Sequence, residues 1–272
     1  MCRSGVAIGK GPALDYAASM ARLVEGYRES PHPCPYLPDR LASLDVRLMV
    51  DVTPAELSEL LAHGWRRFGP TYFRPACPSC TACLSTRIVA PPFAPTRSQK
   101  RARRNAARLT RSVTVPRVDD ERLALYERWH HQRESQRGWS ENPLDAERYA
   151  FDFAFPHPSV REVTFRDPAN GNRLVGVGLV DCVPDALSAI YFFWDPDDAP
   201  SSLGVAHIVM LVEDALSLGL SYVYLGYRVD ACPSLAYKAR YQPQEILTYP
   251  GHEARRPVWR IEQRPATERL TT

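Results

Sequence analysis

The sequence predicts an α+β fold with a mixed sheet. Three observations carry that expectation. Strands at Leu44–Val50 and Leu84–Ala90 flank a hairpin around Gly69-Pro70, and apolar strand segments follow one another between residues 160 and 194. An apolar helix over 203–218 then precedes a near-continuous apolar strand.

The elements follow in order. Leu14 to Tyr27 places Leu14, Ala17, Met20, Val24 and Tyr27 at helical spacing and predicts an amphipathic helix. Residues 31–38 are too rich in proline for a helix or a central strand. Leu44 to Val50 has strand character. Thr53-Pro54-Ala55-Glu56 is a capping box with Pro at the first helical position, and Gly64 stops that helix. Trp65 to Phe73 reads as a hairpin around Gly69-Pro70, and Leu84 to Ala90 as a strand. Thr96 and Gln99 form a second capping box. Val113 to Val118 is a short strand, and Asp119 caps the next helix. Val160–Arg166, Leu174–Cys182 and Ala186–Trp194 are strands, the first two joined at Asn170-Gly171. The helix Leu203–Leu218 ends at Gly219. A strand at Leu220–Gly226, a short helix near Leu235 and a last strand at Glu245–Tyr249 complete the pattern. Residues 251–272 read as a loose polar tail.

With 272 residues, 44% hydrophobic and 24% charged, the chain can build a core, and wholesale disorder is excluded. The 25 prolines, about 9% against a usual ~5%, are scattered, which excludes collagen. No apolar run approaches the ~20 residues that span a bilayer. Met1 to Gly5 leads into no secretory h-region. A cytoplasmic protein without a membrane partner is expected. Seven cysteines fit free thiols or a metal site better than a disulfide framework.

Net charge is +3. Its distribution is more informative. Arg97, Lys100, Arg101, Arg103, Arg104, Arg108 and Arg111 follow one another with no acid between them. Such a helix lacks i,i+4 partners and presents a surface for a polyanion, or a solvated face with counterions.

Three segments could carry chemistry. Cys77, Cys80 and Cys83 have two-residue gaps that let sulfurs converge on one ion, with Cys34 as a distant fourth ligand for zinc or an iron–sulfur cluster. The same thiols also suit a tight loop without metal. Asp195 to Gly204 opens a helix whose backbone N–H groups favour an anion. Tyr237-Lys238-Ala239-Arg240-Tyr241 interleaves aromatics with cations, as nucleic-acid sites and half-buried helix edges both do. No GxSxG, Walker or GxGxxG motif is present.

Cys34-Pro35-Tyr36-Leu37-Pro38-Asp39-Arg40, Tyr72 through Cys83, and Thr96 through Asn105 resemble the N-terminal part of the aminoacyl-tRNA–protein transferases. Leu187–Tyr191, Asp195-Pro196-Asp197, Ser202-Leu203-Gly204, Tyr222–Tyr227 and Tyr237–Tyr241 are similar to the C-terminal part. Chain length and the cysteine spacing resemble the bacterial aspartate/glutamate leucyltransferases. The sequence departs from that pattern at Arg228, where relatives usually place Trp, and at Leu37, where longer arginyltransferases carry a Cys.

The resemblance implies an N-terminal family-specific α/β region followed by a GNAT-like acyltransferase domain with a mixed sheet. The corresponding divisions are a 1–30 extension, 31–118, 119–250 and a 251–272 tail. It implies transfer of leucine from leucyl-tRNA to proteins beginning with Asp or Glu, which marks them for degradation. Arginine as donor, an acetyl-CoA-dependent enzyme and a non-enzymatic zinc and RNA-binding module are the competing readings. No cofactor is required by the chemistry. Lys238, Tyr227 and Tyr191 are the expected catalytic-site residues. Arg74, Arg87, Gly204, Tyr237 and Arg240 are expected to bind substrate, and Arg97, Lys100, Arg101, Arg103 and Arg104 the tRNA backbone. Cys34, Cys77, Cys80 and Cys83 are the candidate metal ligands.

Overall fold

The computed structural model describes residues 8, 20–137, 143–197, 199–200, 202–248 and 257–262. In chain order the elements are β1 (Arg22–Arg28), β2 (His32–Pro33), β3 (Leu41–Ala42), β4 (Leu44–Val50), α1 (Pro54–Ala62), β5 (Arg66–Phe68), β6 (Thr71–Pro75), β7 (Leu84–Val89), α2 (Arg97–Asn105), β8 (Thr110–Thr114), α3 (Asp120–Arg137), α4 (Ala146–Phe153), β9 (Val160–Asp167), β10 (Arg173–Cys182), β11 (Ala186–Trp194), α5 (Leu203–Ser217), β12 (Tyr222–Arg228), α6 (Pro233–Ala236), β13 (Gln244–Thr248) and β14 (Val258–Ile261). A 3₁₀ turn, Tyr237–Arg240, follows α6.

The expected α+β class and mixed sheet are present. Eight strands run in the order β14-β13-β7-β12-β11-β10-β9-β8, and four more form β1-β4-β6-β5. Every pairing in the larger sheet is antiparallel except β11 with β12, which α5 connects. One face of this sheet packs α5, itself backed by α2, around Val175, Leu187, Leu211 and Val223. The other face packs α3 and α4 around Tyr126, Trp129, Tyr149 and Phe193. Helix α1 and Trp65 close a third cluster over Tyr72 and Tyr224.

Local chemistry accounts for the element ends. Both capping boxes form: Thr53 with Glu56, and Thr96 with Gln99. Gly64 and Gly219 take the left-handed conformation just past α1 and α5.

Several expectations are corrected. The helix over Leu14–Tyr27 is, from Arg22 onward, the strand β1, and most of its first turns lie outside the described residues. All seven β1 residues are exposed, so no core rewards helical spacing, while β4 offers a hydrogen-bonding edge. The tail contains β14, paired with β13; its flanks lie outside the described residues. The strand expected at Val113–Val118 sits at Thr110–Thr114. Helix α4 was not expected. The larger sheet also crosses the division at residue 118, because β7 and β8 precede it. Cys2 lies outside the described residues. Among the described residues no helix is long and apolar enough to cross a membrane.

Two histidines are locked into the interior. His207 of α5 stacks on Phe192 at 4.3 Å between ring centroids, with its ring nitrogens buried and without hydrogen-bond partners among the described residues. A Cβ on Gly178 would stand 2.7 Å from that imidazole, so Gly is required there. His157 accepts from the Ser159 N–H and bonds the Tyr72 hydroxyl. Burial pushes His157 down to about 2 and His207 down to about 3. In the unfolded chain each titrates near ~6.5. Below that pH the unfolded state therefore binds more protons and stability falls. The loss is about 2 kcal/mol per histidine by pH 5. Urea midpoints at pH 7 and pH 5 measure it, and a non-titrating residue at either position should remove about half.

Candidate active site

The site begins where two strands part. β11 and β12 pair only from Ala186–Ser188 to Tyr222–Tyr224. β11 then continues to Trp194, while β12 shifts register against β7 between Tyr224 and Gly226. Gly226 has φ +77°, which favours glycine and marks the bulge. Tyr191 lies on the β11 side of the resulting gap and Tyr227 on the β12 side.

The β5–β6 hairpin covers the gap. Phe68 meets Tyr191 at 5.9 Å and Phe73 meets Tyr227 at 6.4 Å between ring centroids. The Tyr227 hydroxyl donates to the Gly64 carbonyl at 2.7 Å, so its first duty is to hold this cover. Tyr191 is embedded among Phe153, Trp129 and Tyr126, and burial raises its hydroxyl above the ordinary phenol value.

Lys238 reaches the gap from the 3₁₀ turn. Its Nζ donates to the Tyr227 carbonyl at 2.6 Å. A Cβ on Gly226 would stand 3.7 Å from Nζ, which places this ammonium directly beside the bulge. Burial, reinforced by the Arg66 guanidinium, pushes Lys238 down to about 8. The thiols of Cys83 and Cys232 act in the opposite sense. Arg66 itself lies over Tyr224 and Tyr227 and donates to Ser85 at 2.6 Å. Sequence reasoning missed Arg66, since nothing distinguishes it from the other arginines.

The basic helix adjoins this turn. The Gln99 side chain donates to the Arg240 carbonyl at 3.2 Å, which fastens the start of α2 to the Lys238 turn. The basic run divides into two sets. Arg103, Arg108 and Arg111 are paired with Glu213, Asp167 and Asp214. Arg97, Lys100, Arg101 and Arg104 are spaced i, i+3, i+4 and i+7 and line a shallow concavity of about 450 Å³. Tyr237 and Arg240 are exposed.

The other expected residues lie elsewhere or have other duties. Arg74 bonds Asp45 at 3.3 Å and lies over Trp65, on the four-stranded sheet. Arg87 bonds Glu245 at 2.7 Å and is caged by Tyr222 and Trp259. Gly204, at the start of α5, faces Phe192 and Trp194 at ordinary contact distances and is not brought to Lys238's turn. Cys34, Cys77, Cys80 and Cys83 share one neighbourhood, and burial with the surrounding thiols pushes Cys83 up to about 12. Among the described residues, however, no three His, Cys, Asp or Glu side chains converge as metal ligands. The described cavity of about 390 Å³ lies between residues 49–53 and 155–158, and none of the expected site residues lines it.

Residues 32–101 match the family model described as arginine-tRNA-protein transferase, N terminus, and residues 121–248 the model for its C terminus. A relative from Chromobacterium violaceum, named aspartate/glutamate leucyltransferase, is 37% identical over 85% of this chain and 93% of its own. Relatives of the same name from Polynucleobacter asymbioticus and Helicobacter hepaticus are 35% and 32% identical, over 81% and 88% of this chain and 90% and 98% of theirs. Among solved structures, FemX has a TM-score of 0.40 at 10% identity, covering 62% of this chain and 59% of its own. L-PGS from Bacillus licheniformis has 0.39 at 11%, covering 64% and 50%. Matches of this extent in sequence define a tRNA-dependent aminoacyltransferase. The chain belongs to the arginine-tRNA-protein transferase family, as its motifs led us to expect.

Proposed function

We propose that the protein transfers leucine from leucyl-tRNA to the α-amine of polypeptides beginning with Asp or Glu, in the cytoplasm, and so marks them for degradation. The hydrogen bond from Gln99 to Arg240 carries this reading, because it fastens the helix that bears Arg97, Lys100, Arg101 and Arg104 to the turn that bears Lys238. The names of the relatives support leucine as donor and Asp or Glu as acceptor. Aromatic rings of Phe68, Phe73 and Tyr191 about the gap suit an aliphatic side chain.

The chemistry needs little beyond placement. The acceptor α-amine attacks the ester carbonyl on the terminal ribose. A C–N bond forms, the C–O bond breaks, and the proton leaving nitrogen is balanced by one gained at the ribose oxygen. An α-amine with a pKa of ~7.7–8.0 is partly neutral near pH 7 without a strong base. Bringing the two substrates together can supply ~7–11 kcal/mol of the barrier. The Lys238 ammonium stabilises negative charge developing at the carbonyl oxygen. Arg240 holds the tRNA terminus, and the α2 face its backbone. Arg87 has its charge met by Glu245, and Arg74 shares Asp45 with Arg28; the acidic acceptor side chain is assigned to the field of Arg66 and Lys238.

The test is a transfer assay with leucyl-tRNA and arginyl-tRNA on peptides beginning with Asp, Glu, Arg or Ala. Leucine on Asp and Glu peptides alone is expected. Arginine transfer instead refutes the donor assignment.

A separate prediction concerns the helix face. Replacing Arg97, Lys100, Arg101 and Arg104 with Ala should lower the slope of log K against log salt by about 3, at ~0.7–0.9 for each phosphate that is no longer neutralised. Arg103→Ala, which removes a partner of Glu213, should change the slope much less. Equal slopes in the quadruple variant and the parent remove α2 from the tRNA interface.

A further inference from the structure

Arg228, where the resemblance expects Trp, is 1% exposed. A guanidinium at that depth needs an opposing charge, or its desolvation is uncompensated. Two carboxylates supply it: Asp230, at 2.9 and 3.2 Å, and Glu262, which is the more buried of the two and belongs to the C-terminal segment beyond the family match that ends at residue 248. Arg228 donates to both carboxylate oxygens of Glu262, at 2.7 and 2.5 Å. The Glu262 N–H donates to the Gln244 carbonyl at 2.9 Å, which docks this segment beside β13.

The same network grips the Lys238 turn. Arg228 donates to the Gln244 side-chain oxygen at 2.6 Å, and the Gln244 amide donates to the Lys238 carbonyl at 2.8 Å. The Gln242 amide spans the Ala239 carbonyl at 3.0 Å and Glu262 at 3.3 Å. At the far end of Lys238, Nζ rests on the carbonyl of Tyr227, the residue before Arg228. One end of Lys238 is thus bonded through Gln244 to Arg228, and the other rests on the residue before Arg228.

We propose that Glu262 is a positioning residue for Lys238, acting through Arg228 and Gln244. The inference rests on Lys238 being the catalytic group in the function proposed above. It assigns a role in the reaction to a C-terminal segment that the family match does not reach.

The sequence makes the test clean. Of 34 basic residues three are lysines, Lys10, Lys100 and Lys238. Carbon-13 labelling at the lysine ε position therefore follows the Lys238 titration directly by NMR, whatever Lys238 does in catalysis. In Glu262→Ala a loosened turn admits water to Nζ, and the titration should rise by at least ~0.5 pH unit toward the ordinary lysine value of ~10.4, whereas loss of the carboxylate's charge alone would lower it. Transfer should lose roughly 10-fold in kcat while KM for leucyl-tRNA stays within about 2-fold, the pattern of a lost transition-state interaction. Glu262→Gln, which keeps the shape and an acceptor for Arg228, should recover most of kcat. If Glu262→Ala folds poorly, Arg228→Met with Glu262→Leu removes both charges at similar volume, and the same shifts are expected.

A folded Glu262→Ala with the parental titration overturns the proposal. So does a shifted titration with parental kcat in a protein whose Lys238→Ala variant is inactive. Full transfer by Lys238→Ala is a different failure: it refutes the catalytic assignment of Lys238, while the NMR titration still shows whether Glu262 holds it.

Discussion

Lys238→Ala should transfer leucine at least about 100-fold more slowly than the parent, the size seen when one oxyanion-stabilising donor is removed. That factor corresponds to about 2.7 kcal/mol of transition-state stabilisation. Folding should change far less. The substitution frees one carbonyl acceptor at Tyr227, and it also removes a buried cation that sits beside Arg66. The pH dependence separates this role from a structural one. The groups facing Nζ are Arg66, which lowers its pKa, and the thiols of Cys83 and Cys232, which raise it. With Lys238 held at about 8, its charge is present below pH 8 and lost above it. The acceptor α-amine becomes nucleophilic above ~7.7–8.0. Single-turnover rates should therefore follow a narrow bell centred near pH 8. Lys238→Arg cannot lose its proton in this range and should abolish the alkaline limb while retaining part of the rate. A parental rate in Lys238→Ala, or an alkaline limb that persists in Lys238→Arg, removes Lys238 from the chemistry.

Short-range features were legible because the residues that decide them lie within four of each other. Thr53 with Glu56, Thr96 with Gln99 and the hairpin at Gly69-Pro70 are of this kind. The strand β1 was not, because its choice between helix and strand is made by β4, more than fifteen residues away. Nor was β14, whose four residues Val258–Ile261 lie in a polar stretch and pair where β13 presents an edge. The candidate site divides along the same line. Lys238 and Tyr227 stood out by their motifs. Arg66 and the Gly226 bulge acquire meaning only where β11 and β12 part, and that separation has no local signature. The seven cations of 97–111 looked alike in the sequence. Their helical spacing distinguishes them once the burial of Gln99 and Ala102 shows which side faces α5. Arg87 misled because a buried cation near the cysteines suits a carboxylate ligand, and its own partner, Glu245, is remote in sequence.

Asp181→Ala should be among the most destabilising single substitutions outside the apolar core. Arg67 of β5 donates through Nε to Asp181 of β10 at 2.9 Å and through a second nitrogen to the other carboxylate oxygen. The two side chains are 2% and 1% exposed. Deleting the carboxylate leaves a buried guanidinium with the Gly69 carbonyl, at 2.8 Å, as its remaining acceptor in this arrangement. Stranding one member of such a pair costs about 3–5 kcal/mol. Whole domains are stable by only about 5–15 kcal/mol. The exposed pair Arg148–Asp152 provides the contrast, since an i,i+4 surface bridge contributes about 0.3–0.5 kcal/mol. Function should suffer beyond the loss of folded protein. Arg67 anchors the hairpin that sets Phe68 and Phe73 over the gap, and Gly69 at its tip has no room for a side chain, because a Cβ would stand 1.9 Å from the Phe151 carbonyl oxygen. The cover therefore has one seating, fixed by an ion pair on β5 and by contact with α4 at the turn. Arg67→Met with Asp181→Leu removes both charges and should restore stability to within about 2 kcal/mol, since apolar replacement of a buried pair is often neutral. Urea unfolding of the three proteins at pH 7, beside transfer rates under conditions where each stays folded, measures both effects. If Asp181→Ala unfolds at the parental midpoint, the pair contributes nothing, and the hairpin is seated by its aromatic contacts alone.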